Sequence, residues 1–169
     1  KIEEGNHLGT QHLSGKGKSF GTHLPLGDLK IKFEYDTEAT DEYTRKLNLN
    51  ESVSTVSFKK GNTQYTREYF CSHPDEVIAM RFTADQPGKI TATLSLDLLR
   101  QGTTVASKKG LVTAGIALFP NLGPGGVSFN GTFDVYPNGG EIIASDSTLT
   151  IKGANELVIL AGIRTNYLT

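Results

Sequence analysis

Apolar and polar residues alternate with a period of two along most of the chain. Leu29, Ile31, Phe33 and Tyr35 are interleaved with Lys30, Lys32 and Glu34. That spacing places one set on each face of a half-buried strand. Residues 53–59 and 63–71 flank Lys60-Gly61-Asn62, which reads as a hairpin turn. Residues 77–84 follow the turn His73-Pro74-Asp75. After Gln86-Pro87-Gly88 come Ile90, Ala92, Leu94, Leu96 and Leu98, again every second position. Residues 111–119 are apolar and β-branched. Residues 121–126 (NLGPGG) read as a loop. Val127, Phe129, Phe133 and Val135 share a face with Gly131 between them, and Asn138-Gly139-Gly140 turns the chain. Residues 141–144, 148–152 and 156–165 complete about ten strands.

No stretch shows a 3.6-residue stripe of helical length, and no internal repeat is visible. Ile2-Glu3-Glu4 has the look of a helix end that Gly5 and Gly9 stop, so residues 1–21 read as an irregular leading segment. Residues 22–169 read as one all-β domain. Many strands joined by short turns favour a two-sheet, mainly antiparallel β-sandwich, with a closed barrel as the alternative. Its inward set comprises Leu29, Ile31, Phe33, Leu94, Leu96, Phe129, Phe133, Ile159 and Ala161.

Composition narrows the function classes. At 169 residues the chain can bury a proper core. Its 17 basic and 18 acidic residues are mixed, giving a net charge of −1, so no basic field argues for nucleic acid or an anionic membrane. Lys16 and Lys18, Lys59-Lys60 and Lys108-Lys109 read as solvated turn lysines. No apolar run approaches the roughly 20 residues that span a bilayer, and no signal peptide is apparent. The chain opens at Lys1-Ile2 without Met, as a mature form or an excised piece would. The single cysteine, Cys71, excludes an intrachain disulfide and is expected to be buried as a small hydrophobe in Tyr69-Phe70-Cys71.

The search for chemistry returns little. His7 and His12 lack the partners of a zinc site, so no metal and no cofactor are expected. Gly15-Lys16-Gly17-Lys18 lacks the helix that a phosphate-cradling loop needs. Asp36, Glu38, Asp41 and Glu42 cluster in a polar loop. A glycosidase acid needs burial to raise its pKa, and this loop has few apolar neighbours. No catalytic residue is identified. Residues 22–27 join the leading segment to the first strand. Gly21 and Gly27 loosen that backbone and Pro25 fixes it, which makes Thr22 and His23 the candidate substrate-binding residues. The bland reading is a structural turn.

Several motifs in order carry a resemblance. Residues 20–33 (FGTHLPLGDLKIKF) are similar to the Tyr-Gln-Pro-Leu-Gly-Asp-Leu stretch in the amino-terminal β-domain of glycoside hydrolase family 95, the α-L-fucosidase family. Residues 43–49 (YTRKLNL) resemble its Tyr-x-Arg-x-Leu-Asp-Leu strand. Residues 53–57 (VSTVS) and 65–75 (YTREYFCSHPD) resemble its next strands, and residues 77–81 and 89–96 continue the match. His23-Leu24 stands where the family has Tyr-Gln. The resemblance implies a bacterial carbohydrate-metabolising enzyme, secreted or periplasmic, of which this chain is a fragment. Its missing partner is an (α/α)₆ barrel in the same parent chain that carries the catalytic residues. Carbohydrate is bound through the full-length enzyme, and this chain alone is expected to be inactive. One alternative is a free-standing carbohydrate-binding or adhesion module. That reading is lowered by the absence of Trp and by 6 Tyr and 8 Phe that mostly alternate inward. A third is the related amino-terminal domain of a disaccharide phosphorylase, which shares the general layout and matches these motifs less well.

Overall fold

The computed structural model describes residues 2–12, 25–37, 39–118 and 126–167. They form one helix, α1 (Ile2–His12), and twelve strands: β1 (Gly27–Glu34), β2 (Asp41–Asn48), β3 (Val53–Lys60), β4 (Thr63–Ser72), β5 (Val77–Ala84), β6 (Ile90–Leu98), β7 (Gln101–Ser107), β8 (Gly110–Leu118), β9 (Gly126–Asn138), β10 (Glu141–Ser145), β11 (Thr148–Ala154) and β12 (Glu156–Thr165). Two antiparallel sheets face each other as a sandwich, not a barrel. One has four strands in the order β1-β6-β11-β10. The other has eight, in the order β2-β3-β4-β5-β12-β9-β8-β7.

The period-two pattern becomes the core. Leu94, Leu149 and Ile151 of the smaller sheet meet Leu111, Leu157 and Ile159 of the larger one, all fully buried. Burying each such side chain contributes about 1.5–3 kcal/mol. Phe129, Phe133 and Ala161 are also buried, and Leu29, Ile31, Phe33 and Leu96 pack against this cluster at its margin. Leu29, Ile31 and Phe33 are only half-buried because β1 is the edge strand of its sheet, and Leu96 pairs with Leu29 on that edge strand. Gly131 lies inward in β9, where a Cβ would come within 2.9 Å of the Thr113 methyl. At the hairpins, Gly61 (φ 58°) follows β3, while Gly139 and Gly140 (φ 74° and 76°) follow β9. These are positive-φ positions that glycine takes without steric cost.

Four expectations change. The leading segment contains α1, an 11-residue helix with no buried residue. Gly5 and Gly9 each cost about 1 kcal/mol in a helix and do not forbid one. Glu3 and Glu4 in the first turn and His12 in the last complement the helix dipole. β2 and β7 raise the strand count from about ten to twelve. Every residue of β2 is exposed, so it carries little apolar alternation. Cys71 is exposed, not buried. It lies on the inner face opposite its partner Ile78, and both are exposed where the smaller sheet does not cover this end of β4 and β5. Of the lysine pairs, Lys108 and Lys109 do form a turn, but Lys59 and Lys60 lie within β3.

Candidate functional site

The larger sheet overhangs the smaller at the β2 side, and the overhang forms an open groove of about 480 Å³. Cross-strand partners share a face. Tyr69, Arg67 and Tyr65 of β4 pair with Ser54, Val56 and Phe58 of β3, and Leu47 and Arg45 of β2 pair with Ser54 and Val56. Of these inward side chains, Ser54, Val56, Phe58, Arg67 and Tyr69 form the floor. Tyr35, immediately after β1, forms one wall, and Tyr43 and Arg45 form the other.

The wall is rigid on the Tyr35 side. The Tyr35 ring meets Tyr65 edge-on at 4.9 Å and Phe58 at 5.8 Å, while Phe33 meets Phe82 at 4.9 Å. Arg67 lies over Phe33 at 4.6 Å and Phe58 at 5.1 Å, and its Nη2 donates to the Tyr35 hydroxyl at 2.5 Å. Lys60 sits 5.0 Å from the centre of the Tyr35 ring and donates to the Thr37 carbonyl at 3.2 Å. Burial pushes the Tyr35 hydroxyl above its usual range, and the Arg67 guanidinium partly opposes that. Arg45, Lys60 and Arg67 give the groove a cationic lining, and among the described residues no carboxylate or histidine lines it. Such a surface can receive an acceptor or an apolar face. Among the described residues it has no carboxylic acid or imidazole to act as general acid.

The sequence-level candidates fall elsewhere. Thr22, His23 and Glu38 lie outside the described residues, as does residue 24. Gly27 is described. A Cβ there would collide with the Asp97 carbonyl and come within 2.9 Å of Leu98 Cα. The carboxylates do not form a pair. Asp36 accepts from Lys89 at 2.6 Å and Glu42 accepts from Lys59 at 2.7 Å, both at the surface. His7 and His12 lie on exposed α1. Among the described residues no group of His, Cys, Asp or Glu could hold a metal ion. The groove went unread in the sequence. Its signal was Arg67 at an inward position between Tyr65 and Tyr69, where alternation calls for an apolar residue.

Fold and groove together define a two-sheet antiparallel β-sandwich domain. The profile of the family described as "Glycosyl hydrolase family 65, N-terminal domain" matches residues 1–169, and the chain belongs to that family. The motifs resemble family 95 and the matched family carries the number 65; both descriptions are of amino-terminal glycoside hydrolase domains. The chain is 36% identical over 85 residues to Alpha-L-fucosidase 2 of Arabidopsis thaliana, a match covering 48% of this chain and 10% of that protein. It is 27% identical over 160 residues to Probable alpha-fucosidase A of Aspergillus niger, covering 92% of this chain and 20% of the relative. It is 30% identical over 83 residues to Probable alpha-fucosidase A of Aspergillus oryzae, covering 49% and 10%. The matches thus span a tenth to a fifth of these relatives' length.

Proposed function

We propose that this chain is the non-catalytic amino-terminal domain of a longer glycoside hydrolase of the α-L-fucosidase kind, in family 95. It serves as a scaffold against which a separate helical-barrel catalytic domain of the same parent chain packs. The observation that carries the reading is the match of 160 residues, nearly the whole chain, to one-fifth of a fungal relative named as an alpha-fucosidase. Two physical points support it. A glycosidase sets a raised-pKa acid against a second carboxylate or an activated water. None of the described carboxylates is buried, and Asp36, Asp97, Glu42, Glu68, Glu76 and Glu156 are each ion-paired. The substrate of the parent enzyme is then a terminal α-linked L-fucose or a related sugar, and Thr22 and His23 stand at the rim of its active site.

The alternative, a free-standing carbohydrate-binding module, draws on the exposed Tyr43, Tyr136 and Tyr167. Tyr43 lines the inner-face groove, and Tyr136 lies in β9 between the inward Val135 and the next inward position, so it points to the outer face. These rings do not make one platform. The test is an aryl α-L-fucoside assay on the purified 169-residue chain and on the longer protein. Activity confined to the longer protein is expected. Fucoside release by the 169-residue chain, free of host enzyme, would overturn the non-catalytic assignment. Glycan capture by the isolated chain with no activity in the longer protein would favour the module.

A further inference from the structure

The sequence holds two Asn-Gly pairs, Asn130-Gly131 and Asn138-Gly139, and both asparagines are exposed residues of β9. Asparagine before glycine is labile in water. With no Cβ on the following residue, its backbone nitrogen can swing onto the asparagine Cγ and close a five-membered ring. The two pairs share this chemistry, so the fold decides between them. Asn130 is held on both sides. It pairs with Ala114 of β8 and Arg164 of β12, while the buried Gly131 pairs with Thr113 and Ile163. In a strand with two neighbours every backbone N–H is spent in a ladder. Ring closure at Asn130 therefore requires opening the interior of the eight-stranded sheet.

Asn138 is the last residue of β9 and is held on one side. β8 pairs with β9 no further than Asp134, which leaves Glu156 of β12 as the ladder partner of Asn138 among the described residues. Gly139 and Gly140 follow, both exposed, with φ of 74° and 76°. Among the described residues neither the Asn138 side-chain amide nor the Gly139 N–H is hydrogen-bonded. Electrophile and nucleophile are thus both free to move, at the frayed end of a strand.

We propose that Asn138 is a self-modification site of the folded domain, deamidating in water while Asn130 is spared. The Gly139 nitrogen gives its proton to a solvent base and bonds to Asn138 Cγ. The Cγ–Nδ2 bond breaks and that nitrogen leaves as ammonia. Water then opens the ring at either carbonyl. One opening leaves an aspartyl side chain. The other leaves an isoaspartyl link, in which the backbone runs through the former side chain. Both products fall where the fold is intolerant. A carboxylate at position 138 stands directly across the ladder from Glu156, and like charges so placed repel. The Asn138 carbonyl accepts from the Asn155 N–H at 2.8 Å, and Asn155 Oδ1 accepts from the Gly88 N–H at 2.8 Å, so three turns are tied through position 138. An isoaspartyl link lengthens the backbone at that tie, beside Gly140, where even a Cβ would come within 2.5 Å of the Lys152 carbonyl oxygen. Deamidation is thus a slow, irreversible loosening of the corner where the chain leaves the larger sheet for the smaller. None of this depends on the activity of the parent enzyme.

Peptide mapping by mass spectrometry tests it, on the 169-residue chain aged in warm neutral buffer, folded or unfolded in urea. In the folded chain Asn138 should show the mass gain of an amide-to-acid exchange about tenfold or more faster than Asn130. In urea the two rates should converge, because only the fold separates them. Equal rates in the folded chain, or a faster Asn130, would overturn the proposal. So would an Asn138 that reacts in urea and is silent when folded. If the 169-residue chain does not stay folded alone, the same two rates in the longer protein decide. Asn138→Asp supplies the charge without the ring chemistry. Its melting temperature should fall by about 1–3 °C at pH 7 and match the parent chain near pH 3, where carboxylates are protonated. An unchanged melting temperature at pH 7 would overturn the claim that the corner is weakened by the new charge.

Discussion

The Arg67 guanidinium donates to the Tyr35 hydroxyl at 2.5 Å, joining β4 of the larger sheet to the residue that follows β1 of the smaller one. It is a cross-sheet tie at the border between covered core and open groove, and both partners are part-buried. The guanidinium also rests on Phe33 and Phe58, so its charge is satisfied by one hydroxyl and two ring faces.

Removing that tie should cost stability in a graded way. Arg67→Ala loses the ring contacts and a charge-assisted hydrogen bond, and urea unfolding should show a loss of about 2 kcal/mol. Tyr35→Phe keeps the ring and should cost about 1 kcal/mol. The double variant should fall short of the sum, because the two residues share one interaction. Tyr35 also sets an alkaline limb. Its folded pKa is raised above the ordinary 10.0, mainly by burial. Its contribution is therefore whole below that value and is lost as pH rises toward the folded pKa. Tyr35→Phe should flatten stability against pH in that window.

Arg81 forks onto Glu156 at 2.9 and 3.1 Å and reaches Glu68 at 3.1 Å across three adjacent strands. The hydrogen bond from Arg81 holds the Glu156 carboxyl below its ordinary 4.5. A depressed folded pKa contributes stability that is present above the ordinary value and lost as pH falls through the folded one. Arg81 is half exposed, so solvent screening keeps the contribution under about 1 kcal/mol. Glu156→Gln should lower thermal stability at pH 7 and make little difference near pH 3.

Gly27→Ala should destabilise by on the order of 2 kcal/mol, because its Cβ meets the backbone of Asp97 and Leu98 and not a side chain that can swing away. A larger residue should be worse. Gly88→Ala has only the Gly153 carbonyl at 3.7 Å to meet, and its cost should come from its φ of 70° alone.

On the proposed function, His23→Ala and Thr22→Ala in the longer protein should raise KM or lower kcat with folding intact. Unchanged kinetics with a lower melting temperature would make residues 22–27 a structural turn.

How legible the fold was depends on how each strand is covered. β1, β6 and β12 have one face on the core, so selection for burial writes the period into their residues. β2 has neither face buried, and its DEYTRKLN carries no such pattern; the motif resemblance marked it as a strand where periodicity did not. Cys71 misled because its neighbours Tyr69 and Phe70 suggested core, while coverage stops short of that end of β4. The groove was hidden for a different reason. Arg67 reads as an ordinary polar strand residue until the fold turns it inward between Phe33 and Phe58.

The place of β12 has a consequence for how the chain is assembled. It is the last of the described strands in chain order, yet it lies in the interior of the eight-stranded sheet, between β5 and β9. The meander β2-β3-β4-β5 and the run β7-β8-β9 can each form from near neighbours, but they meet only through β12. Until residues 156–165 have been made, both halves present an unpaired, apolar strand to solvent. Pairing Glu156 with Thr83 then closes a loop of more than seventy residues, the slow kind of contact. These two sheet halves are therefore most exposed to aggregation just before β12 emerges from the ribosome, and a truncation that removes β12 does not trim the sheet but splits it in two.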